Sequence, residues 1–399
     1  MNPWRGLGEL PREVWILFTA TLVNRAGTMA LPFLVLYLTR SLGFSGDRAG
    51  LALTAYGIGA LITAPVSGRV SDRLGPVRVM RWSLLVSGAI LISLPFTHSF
   101  TAILAITFVW AATSEAFRPA AGAITADLVA PEQRKAAFAL NRLAINLGMS
   151  VGPAIGGFLA VWSFPALFFV DGATSILAGV IIAAARWRTG SSQMTPARGA
   201  DVVPRAASAF FDRRLLYFLA ALIPVEMVLF QSDAAMPLFV VRDLRLAESA
   251  FGLLFTINTV LIILIEVPLN QAMAGWPHRR AMALGALACG AGFGAMAFAS
   301  GFLTVAGTVV VWTFGEMILL PASSAYVAEI APLERRGEYM GLYTMSFSLA
   351  FAVGPWLGVS VFERFGAAVV WGGAFVFGCM SAAMMARVHS KPASVSGPD

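Results

Sequence analysis

The chain alternates between long apolar segments and short polar segments along most of its length. Each apolar segment is close to the roughly 20 residues that a helix needs to cross the hydrocarbon core of a bilayer. Because the backbone must satisfy its own hydrogen bonds in that core, such segments favour helices. The pattern predicts twelve membrane-spanning helices, near residues 14–38, 49–67, 79–96, 101–126, 136–161, 166–185, 214–240, 250–273, 280–299, 302–327, 338–361 and 368–387.

A polar stretch separates the first six predicted helices from the last six. It is rich in glycine, proline, serine and arginine, a composition typical of flexible linkers. The sequence therefore predicts an all-α membrane protein with an N-terminal six-helix bundle at residues 1–186, a cytoplasmic linker at 187–213 and a C-terminal six-helix bundle at 214–399.

The two halves resemble each other at a constant offset of 202 residues, without a gap. The matched pairs include Pro119 with Pro321, Asp127 with Glu329, Arg134 with Arg336, Gly152 with Gly354 and Pro153 with Pro355. Composition bias alone seldom aligns acidic, basic and Gly-Pro positions together. Two related halves predict a substrate path at their interface, with access alternating as one half rocks against the other.

Composition supports the membrane assignment, and charge predicts the orientation. Hydrophobic residues make up 58% of the chain and charged residues 12%, whereas soluble domains carry about 25% charged residues. The net charge of +7 arises from basic clusters in alternate loops, which indicate cytoplasmic loops and not a nucleic-acid surface. We therefore expect a multi-pass protein of the inner (cytoplasmic) membrane with both termini in the cytoplasm. Cys289 and Cys379 lie in apolar segments and imply no disulfide framework.

The loop between the second and third predicted helices carries a glycine and charge motif made of Gly68, Asp72, Arg73, Gly75 and Arg78. It resembles the loop signature of the major facilitator superfamily, in which a glycine, Asp-Arg, a second glycine and basic residues follow at this spacing. The resemblance extends over nearly the whole chain through the twelve-helix layout. It implies that Asp72 holds one conformation by hydrogen bonding across helices and that Gly68 allows close helix approach.

The fifth predicted helix contains a second motif, made of Gly148, Gly152, Pro153, Gly156 and Gly157. It resembles the fifth-helix signature of exporters and antiporters in the same superfamily and therefore implies export. Glycines four residues apart share one helix face and permit tight packing, so an ordinary small-residue interface is the alternative interpretation.

Ionisable residues inside the apolar segments are the remaining candidates for function, because such groups are costly there unless paired or hydrated. Asp233 and Glu316 resemble acidic positions of the twelve-helix drug/proton antiporters and are the first candidates for proton coupling; Glu226 and Glu266 are further candidates. The alternative is that Asp233 or Glu316 pairs with an arginine such as Arg25 or Arg142 and only holds the two halves together. The residues with candidate roles in a substrate cavity or in ion pairs are Arg25, Glu115, Arg118, Asn141 and Arg142.

The sequence offers no chemistry for catalysis or for direct use of ATP. No Walker-type phosphate loop, nucleophile–base constellation or metal-ligand spacing is present. We expect a proton-coupled exporter of small amphipathic organic compounds that is not an enzyme, binds no cofactor or metal, uses the proton gradient and functions as a monomer in lipid. The alternative is an importer or facilitator of a polar or anionic nutrient, bound through the arginines.

Overall fold

The computed structural model describes residues 10–130, 133–187, 209–273, 275–332 and 335–388, apart from the side chains at positions 64, 65, 72 and 135. Within these ranges the chain forms twelve long helices. They are α1 Arg12–Ser41, α2 Gly46–Leu74, α3 Pro76–Phe96, α4 Phe100–Asp127, α5 Arg134–Trp162, α6 Phe164–Ala184, α7 Arg213–Asp243, α8 Glu248–Ala272, α9 His278–Phe298, α10 Phe302–Ile330, α11 Arg336–Phe365 and α12 Ala367–Met385.

Eleven of these helices are long and apolar enough to cross a membrane, and the remaining one is α2. The predicted all-α membrane architecture is therefore confirmed, and the chain is a multi-pass membrane protein. Most of the predicted linker, residues 188–208, lies outside the described residues, so the domain division there stays a prediction.

The repeat seen in the sequence recurs in the irregular parts of the helices. The π-helical turn Tyr37–Ser41 that ends α1 recurs as Phe239–Asp243 at the end of α7, and the 3₁₀ turn Leu94–Phe96 of α3 recurs as Met296–Phe298 of α9. Each pair is separated by 202 residues. Helix irregularities of this kind need local sequence and packing to maintain them, so their shared spacing indicates two copies of one six-helix plan.

Within the described ranges, the buried apolar cluster that contains residues of both halves lies at one end of the molecule. We call the end with the arginine-rich loops after α2, α4, α8 and α10 the basic end, and the other the opposite end. At the opposite end one buried cluster contains residues of both halves, such as Phe33, Leu34, Phe239 and Phe251. At the basic end each of the clusters belongs to a single half. The described structure is therefore closed at the opposite end.

Polar contacts reinforce this closure. Arg40 at the end of α1 forms an ion pair of 2.5 Å with Glu248 at the start of α8, and thus links the halves. The rings of Phe33 and Phe251 meet edge to face beneath it, with centroids 5.2 Å apart. Exposed ion pairs contribute little free energy, so the apolar cluster carries most of the stability of this closure.

Candidate functional site

A cavity of about 380 Å³ lies between the two halves. The N-terminal half contributes a polar wall that includes Asn24, Arg25, Glu115, Arg118 and Asp171, and the C-terminal half contributes a wall that includes Asp233, Phe230, Phe255, Phe347 and Phe351. A concave, mostly apolar space with a few polar groups is the usual form of a small-molecule site. Its position between the halves is the one that the repeat predicts.

A break in α1 forms part of the cavity wall. The helix stops at Ala26 and resumes at Ala30, which leaves the first N–H groups of the second segment without helical partners. The carboxylate of Asp171 in α6 accepts hydrogen bonds from the N–H groups of Met29 and Ala30, at 3.1 and 3.0 Å. Asp171 is buried and thus caps the broken helix.

Sequence reasoning missed Asp171. It is an acid within the apolar segment 166–185 and is followed directly by Gly172, so the cost of an unpaired charge in a membrane segment was a signal that could have found it. Its hydrogen bonds with the α1 break could not be predicted, because the break itself has no proline at Gly27–Met29 to mark it.

We expect Asp171→Ala to lower the thermal stability of the purified protein by about 1–3 kcal/mol, because two buried N–H groups would lose their acceptor. Asp171→Asn keeps one acceptor oxygen and should lose less. Melting temperatures in one detergent measure both effects. A wild-type melting temperature for Asp171→Ala would show that the cap does not contribute to stability.

Arg25 projects into the cavity from the segment of α1 before the break. Its Nε atom is buried and has no hydrogen-bond partner among the described residues. The neighbouring Arg118 and Glu115, both candidates for ion pairs, form one with each other at 3.7 Å. Glu115 also accepts a hydrogen bond from the hydroxyl of Tyr56 at 3.2 Å. Arg25 is thus the less well-matched cation of this wall.

Asp233 lies at the corresponding irregular segment of α7, on the opposite wall. It ends the 3₁₀ turn Phe230–Asp233, and its carboxylate accepts one hydrogen bond, from the hydroxyl of Ser232 at 3.3 Å. No ion pair to Asp233 is found within the described ranges. The alternative that Asp233 pairs with an arginine to hold the halves together is therefore not what this conformation shows.

Glu316 faces a different space. It lines a second cavity of about 270 Å³, together with Arg142 and Glu266, between α5, α8 and α10. Its carboxylate accepts a hydrogen bond from the side-chain amide of Asn258 at 3.1 Å. Arg142 pairs with Glu266 across the two halves, so this arginine binds Glu266 and not Glu316.

The remaining candidates lie apart from the central cavity. Glu226 is fully buried within the C-terminal half, where it accepts a hydrogen bond from Ser346 at 2.9 Å. Its second oxygen has no hydrogen-bond partner among the described residues. Asn141 accepts a hydrogen bond from Thr21 of α1 at 3.3 Å. Neither lines the central cavity. Within the described part of the chain, no three His, Cys, Asp or Glu residues are grouped to hold a metal.

The fifth-helix motif packs against the break in α1. A Cβ atom at Gly152 would lie 2.8 Å from the carbonyl oxygen of Thr28, and one at Gly148 would overlap Arg25. Gly157 instead meets Gly252 of α8, in the other half. The glycines therefore serve two interfaces, one within the N-terminal half and one between the halves.

The loop motif gives a mixed result. Gly75 has φ +86°, a backbone conformation that favours glycine, and joins α2 directly to α3. The expected close approach at Gly68 is wrong for this conformation, because a Cβ there would meet none of the described atoms within 4 Å. The side chain of Asp72 lies outside the described residues, so its hydrogen bonding stays a prediction. Arg73 and Arg78 form no ion pair with the described residues.

Comparison with known proteins gives distant relatives. The chain is 22% identical over 366 residues to a "Na(+), Li(+), K(+)/H(+) antiporter" of Planococcus maritimus, covering 84% of this chain and 85% of the relative. It is 26% identical over 171 residues to the quinolone resistance protein NorA of Staphylococcus aureus, covering 43% of this chain and 44% of that one.

The fold is that of solved membrane transporters. An auto-inhibited POT family peptide transporter superposes with a TM-score of 0.81, at 15% identity, over 98% of this chain and 99% of the other. At that identity the likeness shows the fold alone. The family model described as Major Facilitator Superfamily matches residues 17–242 and 227–398. The chain therefore belongs to the major facilitator superfamily and is a transporter of that family.

Proposed function

We propose that this transporter exports small amphipathic organic compounds in exchange for protons across the inner membrane. The proposal rests on the central cavity between the two halves. There Asp233, which has no ion-pair partner among the described residues, lines the same space as several aromatic side chains. A carboxylate in such a place is costly unless it binds a proton or a cation. Exchange of a proton for substrate follows if both compete for this group.

Glu316 is the second proposed proton site. Its cavity is separate from the space that Asp233 lines, so proton binding there would act on the substrate through conformation. The cross-half pair of Arg142 and Glu266 lies in the same cavity. Protonation of Glu316 would change the charge balance beside this pair and thereby bias the contact between the halves.

The proposed direction rests on three points of support. The fifth-helix motif resembles that of exporters, and a relative is named as a proton antiporter. The buried apolar cluster that joins the halves lies at the opposite end, which leaves the basic end as the side where a substrate would enter from the cytoplasm. In this arrangement α1 begins and α12 ends at the basic end. We propose that this end faces the cytoplasm, because arginine-rich loops remain on that side.

Transport in everted inner-membrane vesicles tests the proposal. With an acidic lumen imposed, vesicles that contain the protein should accumulate an amphipathic fluorescent dye, and an uncoupler should abolish the accumulation. Vesicles from the same strain without the protein provide the baseline. Accumulation that is insensitive to both the gradient and the uncoupler would contradict proton coupling.

The second candidate function, import or facilitated passage of a polar or anionic nutrient, is favoured by one observation. Arg25 presents a cation with a buried, unpartnered Nε to the cavity, and such a group is suited to an anionic ligand. Two results together would favour this function. Intact cells should take up organic anions only when they contain the protein, and everted vesicles should show no gradient-driven dye accumulation that depends on the protein.

A further inference from the structure

We propose that the central cavity selects zwitterionic aromatic compounds, with the anionic group of the ligand at Arg25 and its cationic group at Asp233. This inference rests on the proposed function for the identity of the substrate site. It goes beyond that function because it specifies the charges that a substrate must carry and the residue that binds each of them.

The first support is the charge balance of the cavity. Glu115 and Arg118 form an ion pair with each other, and the carboxylate of Asp171 is engaged by two backbone N–H groups. Two charged side chains remain without a described ion-pair partner, Arg25 in the N-terminal half and Asp233 in the C-terminal half. Among the described residues, none of Glu115, Arg118 and Asp171 forms an ion pair or a side-chain hydrogen bond with Arg25.

The second support is the position of the aromatic rings. Trp110 and Tyr56 of the N-terminal half meet with centroids 5.0 Å apart, Tyr56 and Phe351 with centroids 5.7 Å apart, and Phe351 and Phe230 with centroids 4.8 Å apart. These four rings form a continuous row across the interface. All four rings line the cavity that Arg25 and Asp233 also line, and Phe230 begins the turn that ends at Asp233. The row therefore offers a planar ligand an aromatic surface in the cavity that holds both charges.

Ligands with a single charge are disfavoured, because each would leave one charged side chain of the cavity unpaired. A cationic ligand would match Asp233 but would leave Arg25 desolvated and repelled, and an anionic ligand would leave Asp233 in the same state. Buried charged groups without partners are penalised more strongly than apolar mismatches are. A site of this kind discriminates through the groups that the wrong ligand leaves unpaired.

A matched set of ligands tests the inference on the purified full chain in lipid nanodiscs, at about pH 8, where carboxyl groups tend to be ionised. The parent ligand is a fluoroquinolone that carries one carboxylate and one amine on a fused aromatic ring system. Its methyl ester is the cation, its N-acetyl derivative is the anion, and the doubly modified compound is neutral. Binding is measured by calorimetry, without a proton gradient.

We expect the zwitterion to bind at least about tenfold more tightly than either singly charged analogue, which corresponds to about 1.4 kcal/mol. In Arg25→Gln the preference for the zwitterion over the methyl ester should disappear, and in Arg25→Lys it should partly remain. In Asp233→Asn the preference over the N-acetyl derivative should disappear while the preference over the ester remains. Arg81→Gln, on α3 beside Trp82, serves as the control for a lost surface charge.

Equal binding of the ester and the zwitterion by the wild-type protein would overturn the inference, as would retention of both preferences in Arg25→Gln and Asp233→Asn. Thermal stability measured on each variant separates loss of fold from loss of selectivity. If a variant fails to fold, the affinities of the wild-type protein for the four ligands still test whether it prefers the zwitterion. Because no gradient is used, the outcome is independent of proton-driven transport. Selective binding without such transport would refute the proposed function alone.

Discussion

Asp233→Asn and Glu316→Gln are each expected to lose most of the transport that a pH gradient drives. Neither neutral side chain can exchange a proton, so the gradient can no longer be coupled to substrate movement. Coupling free energies between sites typically correspond to effects of roughly 5–150-fold, and the rate of gradient-driven dye uptake should fall by a factor in that range. Uptake into everted vesicles at equal protein level measures it.

The two variants should differ in substrate binding, because the structure places them in different cavities. Asp233→Asn should weaken binding of amine-containing substrates, whereas Glu316→Gln should leave binding near wild type. Glu329→Gln, which removes an acid paired with His278 at the basic end, is the matched control and should transport normally. Full gradient-driven transport by both test variants would remove these acids from the mechanism.

Gly152→Leu is expected to abolish transport while the protein still inserts and folds into its helices. A Cβ atom added at this position would lie 2.8 Å from the carbonyl oxygen of Thr28 and 3.0 Å from that of Arg25. The larger leucine side chain would therefore push α5 away from the break in α1. The break forms the cavity wall beside Arg25 and is held from its other side by Asp171. Dye transport and ligand binding should therefore both be lost.

Gly307→Leu is the matched control, because a Cβ at Gly307 in α10 meets none of the described atoms within 4 Å. It should express and transport like the wild type. Size-exclusion profiles and melting temperatures of both variants show whether each is folded. Normal transport by a folded Gly152→Leu protein would mean that the close packing of α5 against α1 at Gly152 is not needed for transport.

Much of the fold follows from the sequence because a bilayer simplifies the problem. Apolar segments of sufficient length have to be helical, and this rule predicts the helices to within about four residues of the structural bounds, except that α2 continues well past the predicted end at residue 67, to Leu74. The break in α1 was not predicted, because hydropathy reports the polarity of side chains and not the hydrogen bonding of the backbone. At Gly27–Met29 the chain stays apolar enough to read as continuous helix.

The site could be predicted less well, because a side chain's sequence position does not say which cavity it faces. Asp233 and Glu316 look alike as acids in apolar segments, yet they line different cavities. Glu226 looks the same again and is buried in the core of its own half. The capping role of Asp171 could not be predicted, because it depends on two N–H groups 142 and 141 residues away in the chain.

The apolar cluster shared by both halves at the opposite end also constrains the energetics of transport. Opening that end would expose the surface of the cluster to water, which costs about 2.5 kcal/mol for each 100 Å² of apolar surface. An exposed ion pair at the same end contributes only about 0–1 kcal/mol. A carrier that cycles needs two states of comparable free energy. The walls of the basic end must therefore bury a comparable apolar area when they close. Aromatic residues that now face the cavity, such as Phe347 and Phe255, would contribute part of that area, so polar substitutions on this face should slow turnover even where they touch no substrate.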